Sequence, residues 1–212
     1  MSVQENINNI QRHTHGAQLI VVTKKQDIDH IKKVYKAGEK NFGENRVNEL
    51  LVKKDLLPMD IKWHMIGHLQ TNKVKFITPF IYMIQSVDSI KLLNKINECG
   101  KQDNRIISCL IQIKITQEDT KYGFSIKESS ALLKSDYKKK YPYVNIKGIM
   151  GMASLTHNKN QIEAEFRKLK KIHDRFKHMN SILSIGMSND YGIAHKVGSN
   201  MIRIGSSIFK EY

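Results

Sequence analysis

Lys24 closes the run Leu19-Ile20-Val21-Val22-Thr23-Lys24. Four aliphatic residues in a row, three of them β-branched, read as a strand buried on both faces. A lysine ending such a strand stands at the rim of a core. Partial burial there would lower its pKa and leave some amine neutral, the form that attacks an aldehyde. A lysine at a strand end also serves as a plain solvated end, and this chain holds 29 lysines. Lys24 therefore gains weight only from the rest of the chain. Two later segments matter for that: Gly186-Met187-Ser188-Asn189-Asp190 and Arg203-Ile204-Gly205-Ser206-Ser207. Ser188 offers a hydroxyl. Gly205 lets backbone approach an anion closely, and Ser206 and Ser207 add hydroxyls and amides. Serines also cap helices and form turns, so neither segment is decisive alone.

The elements that must position these groups follow from the hydrophobic pattern. Strands are expected at Gln18–Thr23, Asn41–Glu44, Lys62–Ile66, Tyr82–Ser86, Ile106–Ile115, Asn145–Met150, Ile182–Met187 and Met201–Ile204. Helical spacing separates them. Ile28, Ile31, Val34 and Tyr35 share one face, as do Ile162, Phe166, Leu169 and Ile172. Asp27 suits the start of the first of these helices. Another helix is expected near Asn189-Asp190, whose side chains can cap backbone amides. A leading helix, Val3–Arg12, precedes the first strand. Eight strand–helix units in 212 residues predict an α/β fold, a single (β/α)8 TIM-type barrel with an extra N-terminal helix, one domain over residues 1–212. An open doubly wound sheet would carry a glycine-rich turn after the first strand. Here that turn is Thr23-Lys24-Lys25-Gln26.

In such barrels chemistry gathers at the carboxyl ends of the strands, and phosphate often sits after strands seven and eight. That places Lys24 and the two serine segments around one mouth. An amine facing a phosphate cradle suits a phosphorylated aldehyde. Pyridoxal 5′-phosphate (PLP) is the leading one, and a sugar phosphate held as in lysine-dependent aldolases is the other. Arg203, inside the last strand, needs an acceptor such as Glu44 or Asp190, or faces a ring nitrogen of a bound cofactor. His64 lies in an apolar strand and reads as a hydrogen-bonded core histidine. Asn45 caps a helix or contacts a ligand, and Trp63 is packing.

Composition narrows the classes. The formal charge is +15, but only six of the 35 basic residues are arginines, and the lysines are scattered. That favours neither base nor phosphate forks, so no nucleic-acid partner is expected. No apolar run reaches the ~18 residues of a membrane span, and the first residues lack an export signal. Cys99 and Cys109 do not read as a disulfide framework, and nothing resembles a metal-ligand pair. A cytoplasmic protein without membrane or metal is the expectation.

The residues also match a known family. Val22-Thr23-Lys24, Phe42-Gly43-Glu44-Asn45-Arg46-Val47, Trp63-His64-Met65-Ile66-Gly67-His68-Leu69-Gln70-Thr71-Asn72-Lys73, Lys121-Tyr122-Gly123, Gly148-Ile149-Met150, Ser184-Ile185-Gly186-Met187-Ser188-Asn189-Asp190 and Arg203-Ile204-Gly205-Ser206 run in family order. On these the chain resembles the small pyridoxal-phosphate homeostasis proteins, themselves similar to the amino-terminal barrel of alanine racemase. The resemblance implies that Lys24 carries a Schiff base to the cofactor. It implies that Ser188, Gly205 and Ser206 hold the phosphate, and that Arg203 approaches the pyridine nitrogen. Asn45, His64 and Met187 would line the pocket. The family usually has serine at Thr23, threonine at Ser206, glycine at Lys210 and a longer amino terminus.

Two physical points argue against catalysis. Racemases of this type use a second, β-rich domain that supplies an opposing acid/base residue, and eight strand–helix units already occupy this chain. A guanidinium at the pyridine nitrogen also disfavours its protonation and weakens the ring as an electron sink. The expected role is to carry and buffer PLP without robust turnover, the rival being a weak PLP-dependent racemase or decarboxylase. Expected partners are PLP and, as recipients, PLP-dependent apoenzymes, with a monomer favoured over an oligomer.

Overall fold

The computed structural model describes residues 2–116, 122–175 and 181–210. Lys121 of the quoted motifs lies outside them. The strands are β1 Gln18–Val22, β2 Asn41–Glu44, β3 Lys62–Met65, β4 Met83–Val87, β5 Ile107–Gln112, β6 Val144–Met150, β7 Ile182–Ser184 and β8 Met201–Ile204. They close into a barrel in chain order, with every neighbouring pair parallel and β8 returning to β1. The helices are α1 Val3–His13, α2 Ile28–Lys36, α3 Val47–Leu56, α4 Val74–Ile77, α5 Ile90–Gln102, α6 Ile126–Lys134, α7 Tyr137–Lys140, α8 Lys159–Arg175, α9 Tyr191–Val197 and α10 Ser206–Phe209. This is the expected (β/α)8 barrel with an added leading helix.

Local chemistry sets these elements. Asp27 caps α2 by accepting from the His30 amide at 2.8 Å. Ser2 and Glu5 form a reciprocal capping box on α1. Ile162, Phe166, Leu169 and Ile172 make the buried stripe of α8. Among the described residues no helix is long and apolar enough to cross a membrane.

Register tells which side chains fill the lumen, because partners across a parallel ladder point the same way. Ile20 pairs with Arg203, Met201 with Ser184, Ser184 with Met150, and His64 with both Gly43 and Met83. One plug of the lumen is apolar: Ile20, Met83, Leu110, Met150 and Met201. Toward the carboxyl ends the inward positions include the polar His64, Gln85, Ser184 and Arg203. The larger core lies between sheet and helices.

Two ladder irregularities bear on the site. β4 has one extra residue between Ile84 and Val87, the stretch that carries Gln85. In β6 the partners step from Ile146 to Gly148, leaving Lys147 as the bulged residue. Gly148 has φ +154°, and a Cβ there would land on the backbone of Ile182. β7 is shorter than the hydrophobic run suggests, because Gly186 turns at φ +102°.

Gly148→Ala should therefore lower the stability of the fold by ~2–3 kcal/mol or more, read as a drop in the urea midpoint at unchanged m-value. A midpoint equal to wild type would mean that β6 and β7 tolerate a shift at this bulge.

Candidate functional site

β1 ends in a turn in which the Gln26 amide donates to the Thr23 carbonyl at 3.0 Å. Lys25 occupies the left-handed region at φ 60°, which a lysine adopts only when its surroundings impose it. The surroundings are visible. The Lys25 amide donates to Glu49 Oε2 at 3.2 Å. Two residues earlier, the Thr23 hydroxyl donates to Glu44 Oε1 at 2.6 Å. Lys53 Nζ donates to the same carboxylate oxygen at 2.6 Å and to the Thr23 carbonyl at 2.7 Å. Lys53 and Glu44 are both buried. Burial pushes the Glu44 carboxyl above the usual range, against the opposing pull of Lys53 and Thr23. Lys24 itself is exposed. The partial burial expected of it does not occur, because its turn projects past the end of the barrel.

Lys24 faces a cleft of about 270 Å³ lined by Val22, Lys24, Lys25, Gln26, Asn45, Arg46, Glu49, Gly205 and Ser206. That is near the lower end of ligand sites (~300–1,000 Å³). Three cations against one carboxylate favour an anionic occupant. Gly205 packs against β1, where a Cβ would come within 2.9 Å of the Val22 carbonyl oxygen. Only glycine allows this approach of β8 to β1. Next to it, Ser188 Oγ accepts from the Ser207 amide at 3.4 Å, so the loops after β7 and β8 meet. Asn45 is packed by Gly67, where a Cβ would fall 2.6 Å from the Asn45 Cβ. Its Oδ1 is buried without a partner among the described residues.

Below the cleft runs a chain of buried hydrogen bonds. Arg203 Nη1 donates to Ser184 Oγ at 2.7 Å and to the Ser184 carbonyl at 2.9 Å, and Nη2 donates to the Gly151 carbonyl at 3.1 Å. Ser184 Oγ donates to Gln85 Oε1 at 2.8 Å. The amide nitrogen of Gln85 then faces His64 Nδ1 at 3.0 Å. Since arginine only donates, the directions are forced. His64 Nδ1 accepts, and the neutral ring carries its hydrogen on Nε2. Burial pushes the imidazole pKa down to about 3, so it stays neutral at physiological pH. Nε2 is buried without a partner among the described residues. Burial also lowers the Arg203 pKa to about 10, still cationic near neutrality.

The structure thus brings Lys24, Asn45, Gly205 and Ser206 into one cleft, with Ser188 beside it and His64 and Arg203 linked beneath. Met187 is 37% exposed on the loop after β7 and does not line the cleft. Two expectations are corrected. Arg203 bonds neither Glu44 nor Asp190, because carbonyls of β7 and the loop after β6 take its hydrogens. Asp190 does not cap α9; its carboxylate accepts from the Met187 amide at 2.6 Å and closes that loop instead. Three contributors escaped sequence reasoning: Lys53, Gln85 and Ser184. Lys53 had a signal, since it falls on the buried stripe Val47, Leu50, Lys53 of α3.

Residues 1–212 match the family described as alanine racemase, N-terminal domain. The chain is 31% identical over 214 residues to the pyridoxal phosphate homeostasis protein of Aquifex aeolicus, covering 99% of this chain and 93% of that one. It belongs to the alanine racemase N-terminal domain family, among the pyridoxal phosphate homeostasis proteins. The solved structure of PipY from Synechococcus elongatus, with PLP bound, is similar at TM-score 0.89 and 28% identity, over 99% of this chain and all (100%) of that one. Alanine racemase of Clostridium difficile shares the fold at TM-score 0.81 and 15% identity, over 100% of this chain and 57% of the racemase. The pyridoxal phosphate homeostasis proteins thus share with the racemases the barrel whose mouth holds this cleft.

Lys53→Met leaves the Glu44 carboxylate buried with only the Thr23 hydroxyl, and should cost about 3–5 kcal/mol near pH 8. The folded carboxyl already lies above its unfolded value, and losing Lys53 raises it further. The penalty therefore falls on the ionised form. It should shrink toward about pH 4, where the carboxyl is protonated in both states, and grow as pH rises. Urea titrations across that range check the slope; a deficit independent of pH would remove Glu44 from the account.

Proposed function

We propose that this chain binds pyridoxal 5′-phosphate and serves the cell as a carrier and buffer of that cofactor. The observation that supports this most is the cleft itself: an exposed primary amine, Lys24, shares about 270 Å³ with Gly205 and Ser206. The residues fit the group. Two buried polar atoms near the strand ends, Asn45 Oδ1 and His64 Nε2, have no partner among the described residues. At Gly205 the backbone is bare where any side chain would strike Val22.

PLP supplies an aldehyde that a primary amine can bind covalently, and Lys24 is the proposed amine. Ser188, Gly205 and Ser206 bind the phosphate through hydroxyls and backbone amides. Arg203 meets the pyridine nitrogen as a fixed cation that cannot accept a proton. Asn45 and His64 line the remainder, His64 offering the hydrogen on Nε2, while Met187 borders it from the exposed loop after β7. The Glu44–Lys53 pair and Glu49 hold the turn that carries Lys24.

Carriage rather than turnover follows from two features. The exposed amine gives poor exclusion of water, which catalysis on reactive intermediates requires. A cationic partner at the ring nitrogen weakens electron withdrawal. We read the chain as a single monomeric domain that delivers to PLP-dependent apoenzymes. The rival reading is a weak racemase or decarboxylase, which predicts loss of an amino acid's α-hydrogen faster than free PLP alone gives.

Mixing the protein with PLP should produce a visible absorbance that Lys24→Ala abolishes. Borohydride reduction followed by peptide mapping should place the adduct on Lys24. Ser188→Ala with Ser206→Ala should weaken retention by ~10–100-fold while Lys24 remains reactive. Colour that survives Lys24→Ala would refute the amine assignment, and unchanged retention in the double variant would refute the phosphate assignment.

A further inference from the structure

The carboxylate, amide and carbonyl contacts of the mouth account for β1, β2 and β7. They leave open what holds α10, the single turn Ser206–Phe209 that presents Gly205 and Ser206 to the cleft. One helical turn has no stability of its own in water. Its internal bonds are few: the amides of Ile208 and Phe209 both donate to the Gly205 carbonyl, at 2.8 and 3.3 Å. Its last carbonyls have no intrahelical donors. The donors come from the far end of the sequence. Asn6 Nδ2, on α1, donates to the Ile208 carbonyl at 3.0 Å and to the Lys210 carbonyl at 3.1 Å. Asn6 is buried. Both hydrogens of its amide nitrogen are spent on this one turn, an arrangement that a side chain lacking a paired donor cannot reproduce.

Packing acts at the same place. Ile208 is fully buried in the same core as Ile7 and Ile10 of α1. α1 is itself fixed at its start by the Ser2–Glu5 capping box and at its end by Thr14, whose buried hydroxyl donates to the Ile10 carbonyl at 2.8 Å. A rigid, independently capped helix therefore grips the far end of the turn whose near end lies in the cleft, against Val22.

We propose that α1 is the clamp of the anion-binding turn, with Asn6 as a positioning residue that sets how firmly a phosphate ester is held, separately from the covalent capture by Lys24. This rests on the reading of Gly205 and Ser206 as phosphate contacts. It gives the leading helix a role in retention, although α1 contributes no residue to the cleft. Loosening the clamp lets Gly205 and Ser206 drift from the geometry that the ester requires. The amine, on the neighbouring strand end, is held by a separate set of contacts to Glu44, Lys53 and Glu49 and does not move with them.

The test compares PLP with pyridoxal, which has the same aldehyde and no phosphate, on the full chain. Dissociation constants are measured for wild type, Asn6→Ala and Ile208→Val. Ile208→Val removes one methylene from the packing side of the same turn and should fold even if Asn6→Ala does not. Loss of the two hydrogen bonds should weaken PLP by ~5–30-fold and leave pyridoxal within about twofold. Ile208→Val should show the same selectivity at smaller size. Equal weakening of both ligands would overturn the clamp and leave Asn6 a general stabiliser. Unchanged PLP affinity in either folded variant would overturn it too, while the cradle stands. Wild type that binds pyridoxal as tightly as PLP would overturn the phosphate cradle itself, and the clamp with it.

Discussion

A buried ion pair at the end of the first strand governs the geometry of the mouth. Glu44 belongs to β2 and Lys53 to α3, yet both converge on Thr23, the residue before Lys24. Burying two opposite charges gains little net stability over an apolar pair. It does fix geometry, because a carboxylate oxygen shared by a hydroxyl and an ammonium tolerates only a narrow range of positions. The left-handed Lys25, tied by its amide to Glu49, adds a second constraint on the same turn. Lys24 is thus free at its tip and fixed at its base. The proposed role of Lys24, to form and release a bond to a small molecule, needs both conditions.

The interior beneath the mouth is built differently. There the polar groups form a directed series from Arg203 through Ser184 and Gln85 to His64, with every donor assigned by the arginine at its head. Buried networks of this kind are rigid when complete and costly when broken. Among the described residues this one is complete except at its last atom, His64 Nε2. The bulge in β4 beside Gln85 shows where the barrel departs from regularity to make that connection.

Much of this was legible in the sequence. The alternation of short apolar runs with helical stripes specified eight strands, and the differences lay at the strand ends. Where an end moved, a cause is visible, as at Gly186, whose positive φ stops β7 early. Lys24, Ser188, Gly205 and Ser206 could be singled out because strand ends in a parallel barrel must share one rim. What stayed hidden were contacts between distant segments. Nothing local says that a lysine on α3 turns inward to a carboxylate nine residues earlier, since charged residues on helices usually face water. Nor can composition reveal that Arg203 would satisfy itself on backbone carbonyls of neighbouring strands rather than on an acid. The sequence leaves open whether Lys24 is a half-buried rim residue or a solvated strand end, because strand pattern fixes where a residue leaves the sheet and not how far its turn projects.

The exposure of Lys24 has a consequence for selectivity. An amine standing in solvent meets every carbonyl metabolite in reach, reducing sugars and keto acids included, and reactivity alone cannot rank them. Discrimination must then come from the neighbouring strand end, where we propose that Gly205 and its serines meet an anion. A protein arranged this way sorts its visitors by their tails rather than by their reactive heads.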